Sequence, residues 1–132
     1  MVKTIAFGFF PKGLSLPYSL ALSPDFVTSV LDDARDTNAS CISTFIDFAR
    51  PLRSAYRQGD LDIRLTGIWQ DKCIAMAASS AVSQGFNVDV PKDLVHPYSQ
   101  LAVSFEDMVR YQMPSLKLDY QFDGKSHLFV PK

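Results

Sequence analysis

The chain has 132 residues, 47% hydrophobic and 20% charged, with a net charge of −1. That length and composition fit one globular α+β domain spanning residues 1–132 and exclude a disordered chain. The charge balance excludes a protein that coats nucleic acid by overall charge, because such binding rests on many Lys and Arg contacts to phosphate. It leaves room for a local basic patch. The acids are thirteen Asp and a single Glu, Glu106. Asp favours caps and turns over helix interiors, so many short elements are expected.

Residues 4–10 (TIAFGFF) read as an aromatic-rich strand, and Pro11-Lys12-Gly13 as a turn. Residues 17–22 can return as a second strand. The Pro-Lys-Gly break argues for strand, turn and strand over residues 1–22, not a cleaved leader. Ser23 is an N-cap candidate, with Pro24 at the first helical position and Asp25 at the positive helix end. Phe26, Val27, Val30, Leu31 and Ala34 then share a helical face that closes near Asp36 to Asn38. Residues 41–49 fit a helix or a strand equally well. A short helical turn is predicted over 51–58, ended by Gly59.

Residues 61–69 alternate: Leu61, Ile63, Leu65 and Trp69 point one way, Asp62, Arg64 and Thr66 the other. This is the firmest strand. Residues 73–78 (CIAMAA) are a buried strand or the start of a small-residue helix, and 83–92 a loop with a short extended piece. A helix over about 99–112 presents Leu101, Ala102, Phe105, Met108, Val109 and Gln112 on one face and stops at Pro114. Leu116, Leu118, Tyr120 and Phe122 alternate, Asp123-Gly124 makes a tight turn, and 126–130 return as a C-terminal β-hairpin. The expected architecture is a mixed or antiparallel sheet with two main helices packed on one face.

Four arginines fall close together: Arg50, Arg53, Arg57 and Arg64, with Tyr56 among them. On a helical turn, residues 50, 53 and 57 share a face. Arginine presents a planar fork of donors that matches phosphate and stacks on bases. These five residues are the candidate binding site, for nucleic acid or for an acidic protein surface. The competing account is a solvated face paired with Asp47, Asp60 and Asp62.

Other candidates are weaker. Phe7, Phe9, Phe10 and Tyr18 could stack bases, but no Lys or Arg alternates with them, and core packing accounts for them better. Cys73 with His96 or His127 could pair a nucleophile with a base, but no motif flanks either histidine. His127 is expected opposite Tyr120 in the hairpin. Cys41, Cys73, His96 and His127 lack the paired short spacing of a zinc site. Asp32, Asp33 and Asp36 crowd a predicted helix C-terminus, where negative charge is unfavourable. There is no Walker, GxSxG or HExxH motif. The expectation is therefore a non-enzymatic protein without cofactor or metal.

The strand at 4–10, the proline-glycine turn, the helix carrying Ala34-Arg35, and the stretch FIDFARPLRSAYRQGDLDIRLTG at 45–67 together resemble the small nonstructural protein of gokushoviruses, single-stranded DNA microviruses. The comparable pieces are Asp47-Phe48, Gly59, Asp62 and Thr66-Gly67. The proline follows Asp47-Phe48 here, where the family pattern places it before. The resemblance covers residues 4–69 and leaves 70–132 outside it. It implies a phage-encoded, non-virion accessory protein acting in viral DNA synthesis or in the switch to packaging, and it supplies no catalytic residues.

The reading is thus an accessory or binding protein, of phage origin as the resemblance implies, working through the arginine cluster in the host cytoplasm. No stretch is long and apolar enough for a membrane span. The second reading is an interaction or inhibitor module docking through an exposed strand edge, which also permits a homodimer. A small enzyme with an unrecognised site is the third.

Overall fold

A computed structural model describes residues 3–9, 50–57, 59–68, 73–96 and 103–132. The helix read at 24–36, the return strand at 17–22, the ambiguous segment 41–49, and the residues Phe10, Tyr18, Cys41, Asp47 and Trp69 lie outside them.

The alternation of 61–69 becomes the organising strand of the sheet. Strand β1 (Lys3–Phe9) runs parallel to β2 (Leu61–Ile68), with Ile5 beside Ile63 and Phe7 beside Leu65. On the other side of β2 lies β3 (Asn87–Pro91), also parallel. A short β4 (Val95–His96) pairs with the far end of β2 after the 3-10 turn Lys92–Leu94. The C-terminal hairpin, β5 (Leu118–Phe122) and β6 (Ser126–Pro131), adds antiparallel strands through β6. The order is β1-β2-β3-β6-β5, with β4 beside β2. The architecture is α+β with a mixed sheet.

Three helices are described: α1 (Arg50–Ala55), α2 (Ala75–Ser83) and α3 (Phe105–Gln112). The CIAMAA segment resolves as helix, and it extends further than 73–78. Helix α2 carries no charge, and residues 75, 77–82 are all buried. A helix that is apolar or small all round belongs in a core. Its serines stay satisfied locally: Ser79 Oγ donates to Met76 O (3.0 Å) and Ser83 Oγ to Ser80 O (2.6 Å). Its end is a Schellman motif. Gly85 at φ +91 lets its N–H reach Val82 O (2.9 Å) and the Phe86 N–H reach Ala81 O (3.1 Å).

The extended piece expected within 83–92 is β3, which follows the end of α2 and its turn. Val88 and Val90 are buried on the sheet while Asn87 is exposed. The polar partners masked a two-residue alternation, and Asp89 is accommodated because it faces Arg64 across the strands.

The helix expected over about 99–112 is described from Phe105, and Leu101 and Ala102 lie outside the described residues. Residues 103–104 are not helical, and Ser104 Oγ caps α3 by accepting the Asp107 N–H (3.1 Å). Glu106 and Asp107 sit in its first turn, and Glu106 pairs with Arg110 at 2.9 Å one turn on. Phe105 and Val109 are its buried residues, and Gln112 is exposed, so Gln112 leaves the apolar face assigned to it. Helix α1 likewise ends before 58, which puts Tyr56 and Arg57 beyond its last residue.

The hairpin turn also moves. Asp123 pairs with Ser126, its N–H reaching Ser126 O (3.2 Å), so the two-residue turn is Gly124-Lys125 and not Asp123-Gly124. The cause is the Asp123 carboxylate, which accepts the N–H groups of Lys125 (2.9 Å) and Ser126 (2.7 Å). These two bonds hold the carboxyl below the usual range. Gly124 follows at φ +92, a conformation open to glycine. His127 therefore faces Phe122, and Tyr120 faces Phe129. The slip is by two residues, so every side chain keeps its face.

The core lies on the face carrying Leu61, Ile63, Leu65, Val88, Val90, Phe129 and Leu118, against α2 and against Phe105 and Val109 of α3. Leu52 and Tyr56 pack at its margin.

Candidate functional site

The arginines come from two elements, Arg50, Arg53 and Arg57 from α1 and its exit and Arg64 from β2. Arg50 opens α1, and Arg53 lies near its end, exposed. Arg57, also exposed, lies beyond the helix, where its carbonyl accepts the Asp60 N–H (3.0 Å). Tyr56 is half-buried against the core. Arg64 belongs to the sheet: its Nε donates to Asp89 Oδ2 at 3.0 Å, across the strand register that sets the two residues opposite each other. Arg53, Tyr56 and Arg57 remain neighbours along the chain, and strand pairing sets Arg64 in a cross-strand ion pair with Asp89.

Neither Asp60 nor Asp62 pairs with Arg53 or Arg57. Among the described residues, neither arginine has a carboxylate within ion-pair distance. Arg53 instead donates to the carbonyl oxygen of Gln84, at the C-terminal end of α2. A cation there meets the negative end of the helix dipole. The contact anchors α1 on α2 and leaves the positive charge of Arg53 without a neutralising carboxylate.

Arg53 also lines a groove of about 520 Å³ with Val82, Ser83, Gly85, Met113, Leu116, Lys117 and Lys132. Among the described residues, no acidic residue lines it. Lys117 and Lys132 were absent from the candidate set. Nothing in their local sequence marks them; the hairpin delivers them, and the Lys132 N–H reaches Lys117 O at 3.2 Å.

The opposite face of the sheet carries a second, smaller pocket of about 220 Å³, lined by Asp62, Asn87, Asp89, Leu128 and Val130 among others. There the Oδ1 atoms of Asp62 and Asp89 are buried without a hydrogen-bond partner.

A third cluster lies on the core side of the hairpin. Tyr120 Oη and His127 Nδ1 are 2.8 Å apart, and the His127 ring packs against Phe105 (4.9 Å) and Phe122 (4.9 Å). Burial pushes the His127 pKa down. Burial, then the charge of Glu106, pushes the Tyr120 phenol up. The two shifts agree: neutral imidazole accepts from a neutral phenol. They also define a pH response. The unfolded chain binds a proton at His127 near pH 6.5, and the folded chain only at lower pH. Stability is therefore expected to be flat above about pH 7 and to fall as pH drops below about 6.5. Urea midpoints between pH 5 and 8 check this; a His127→Gln variant should lose that part of the slope.

Among the described residues, no three metal-ligating side chains gather, and no helix is long and apolar enough to cross a membrane. Cys73 is half-buried. No known family model, curated protein or solved structure matches the chain. The function has to be argued from the residues themselves.

Proposed function

We propose that the protein is a non-enzymatic accessory or binding protein, phage-encoded and acting in the host cytoplasm, that contacts nucleic acid through the surface around Arg53 and Arg57. The observation that carries this reading is that both guanidinium groups are exposed and lack a carboxylate partner among the described residues. A surface arginine that serves only solubility is commonly paired or solvated singly; two unneutralised arginines beside an aromatic ring match what a phosphate backbone requires. The resemblance of residues 4–69 to the gokushovirus small nonstructural protein supports the choice of nucleic acid over an acidic protein. Arg64 takes a supporting part at most, since Asp89 neutralises it.

The test is binding to short single-stranded and duplex DNA over a salt series, with an Arg53→Ala/Arg57→Ala double variant alongside. The expected result is binding that weakens steeply with salt, with the double variant at least about tenfold weaker. Its salt slope on single strands should be shallower by about 1.4, since each phosphate contact contributes about 0.7. Absence of binding by the native protein at low salt overturns the reading.

The edge-strand reading has one observation in its favour. Strand β5 ends the sheet order, and no described strand pairs with its outer side. An open edge recruits partner strands. Concentration-dependent self-association or pull-down that survives the arginine substitutions would favour it.

A further inference from the structure

We infer that the groove walled by Arg53, Lys117 and Lys132 is a phosphate-binding site. The inference deepens the nucleic-acid reading by locating a phosphate subsite, and it rests on that reading only for the identity of the polymer that supplies the phosphate.

Three cations from three parts of the chain converge on one concavity: Arg53 from α1, Lys117 from the approach to β5, and Lys132 after β6. Among the described residues, no Asp or Glu lines the cavity, although the chain as a whole carries a slight excess of acid. Ser83 and Ser115 add hydroxyls to the wall. At about 520 Å³ the groove falls within the range of small-molecule sites and can admit a nucleotide-sized group.

The cations are free to act. Lys132 lies 3.7 Å from Asp119, but both side chains are about two-thirds exposed (65% and 67%). Such a pair is weak and yields to a better anion. Arg53 spends one donor on the Gln84 carbonyl, which orients the guanidinium and leaves other N–H groups of its five for a ligand. The C-terminal end of α2 lies at the groove and contributes roughly half a negative charge, which opposes an anion. Its effect is blunted, because the Schellman bonds of Gly85 and Phe86 occupy the Val82 and Ala81 carbonyls and Arg53 occupies that of Gln84. Three full positive charges outweigh it.

The site is tested with inorganic pyrophosphate as the free anion and a dT oligonucleotide as the polymer. The proteins compared are the native chain, Lys117→Gln/Lys132→Gln, and a control, Lys125→Gln, which is exposed in the hairpin turn and does not line the groove. Lys117 and Lys132 are exposed, so the double variant should keep its fold, as circular dichroism can verify. The expected result is pyrophosphate binding weakened at least tenfold in the Lys117→Gln/Lys132→Gln variant and unchanged in the control. The oligonucleotide salt slope should be shallower by about 1.4 in the lysine variant. If the lysine variant binds both probes as the native chain does, the groove is not the site, and nucleic-acid binding elsewhere still stands. If the native chain binds pyrophosphate through the lysines but no DNA, the groove stands and the nucleic-acid reading falls. Binding of neither probe overturns both.

Discussion

Replacing Phe129 by Ala is expected to lower the unfolding free energy by about 3–5 kcal/mol, the range for an aromatic removed from a closed core. Phe129 is fully buried and sits in the middle of β6, opposite Val88 on one side and Tyr120 on the other. Its ring meets Phe105 of α3 edge-on at 5.6 Å and Tyr120 at 5.0 Å. It therefore joins the hairpin, the parallel strands and α3 in one contact. Removing it leaves a cavity bounded by paired strands, which cannot collapse without breaking their register. A domain of this size is stable by about 5–15 kcal/mol, so the variant should be marginal or unfolded. Urea denaturation measures the loss. Phe122→Ala, at a site 44% exposed, serves as the control and should cost about 1 kcal/mol. Equal losses at the two positions would refute the placement of Phe129 at the junction.

The second large effect is expected at the cross-strand pair of Arg64 and Asp89. Their side chains are 36% and 20% exposed, between an open surface pair and a buried one. Removing Arg64 alone leaves the Asp89 carboxylate on a partly buried face, where its Oδ1 already lacks a partner. Arg64→Met should thus cost about 2 kcal/mol, above the surface range and below that of a fully buried pair. Arg64→Met/Asp89→Leu should cost less than the sum of the single variants, because the stranded charge is removed along with its partner. A double-mutant cycle in urea is expected to give a coupling of about 1–2 kcal/mol. Additivity within about 0.3 kcal/mol would mean that the pair is merely adjacent.

Which parts of the molecule were legible depends on how local their signals are. Alternation in 61–65 named β2 and its buried side, since a two-residue period is written directly in the side chains. The Schellman end of α2 was also legible in principle: a run of small residues without aromatics, closed by Gly85, is a helix signature. Without it, 73–78 stayed open between strand and helix. Ser104 with Asp107 three residues on likewise marks the start of α3 more sharply than the apolar spacing that pointed to 99. The hairpin was evident, but its register was not. That register hangs on two bonds accepted by the Asp123 carboxylate.

The candidate site shows the same division. Sequence proximity grouped Arg50, Arg53, Tyr56 and Arg57 with Arg64, whose position is decided by the strand pairing that sets Asp89 opposite. It missed Lys117 and Lys132, which reach the groove only because β5 and β6 fold back beside α2. By itself the sequence determined the α+β class, the alternating strand, the terminal hairpin and a local density of arginine, all of which rest on near-neighbour spacing. The tertiary structure decided the mixed sheet order, which charges are neutralised, and which cations share a cavity. Those depend on contacts between residues far apart along the chain, and a charge has no fixed meaning until its spatial neighbours are set.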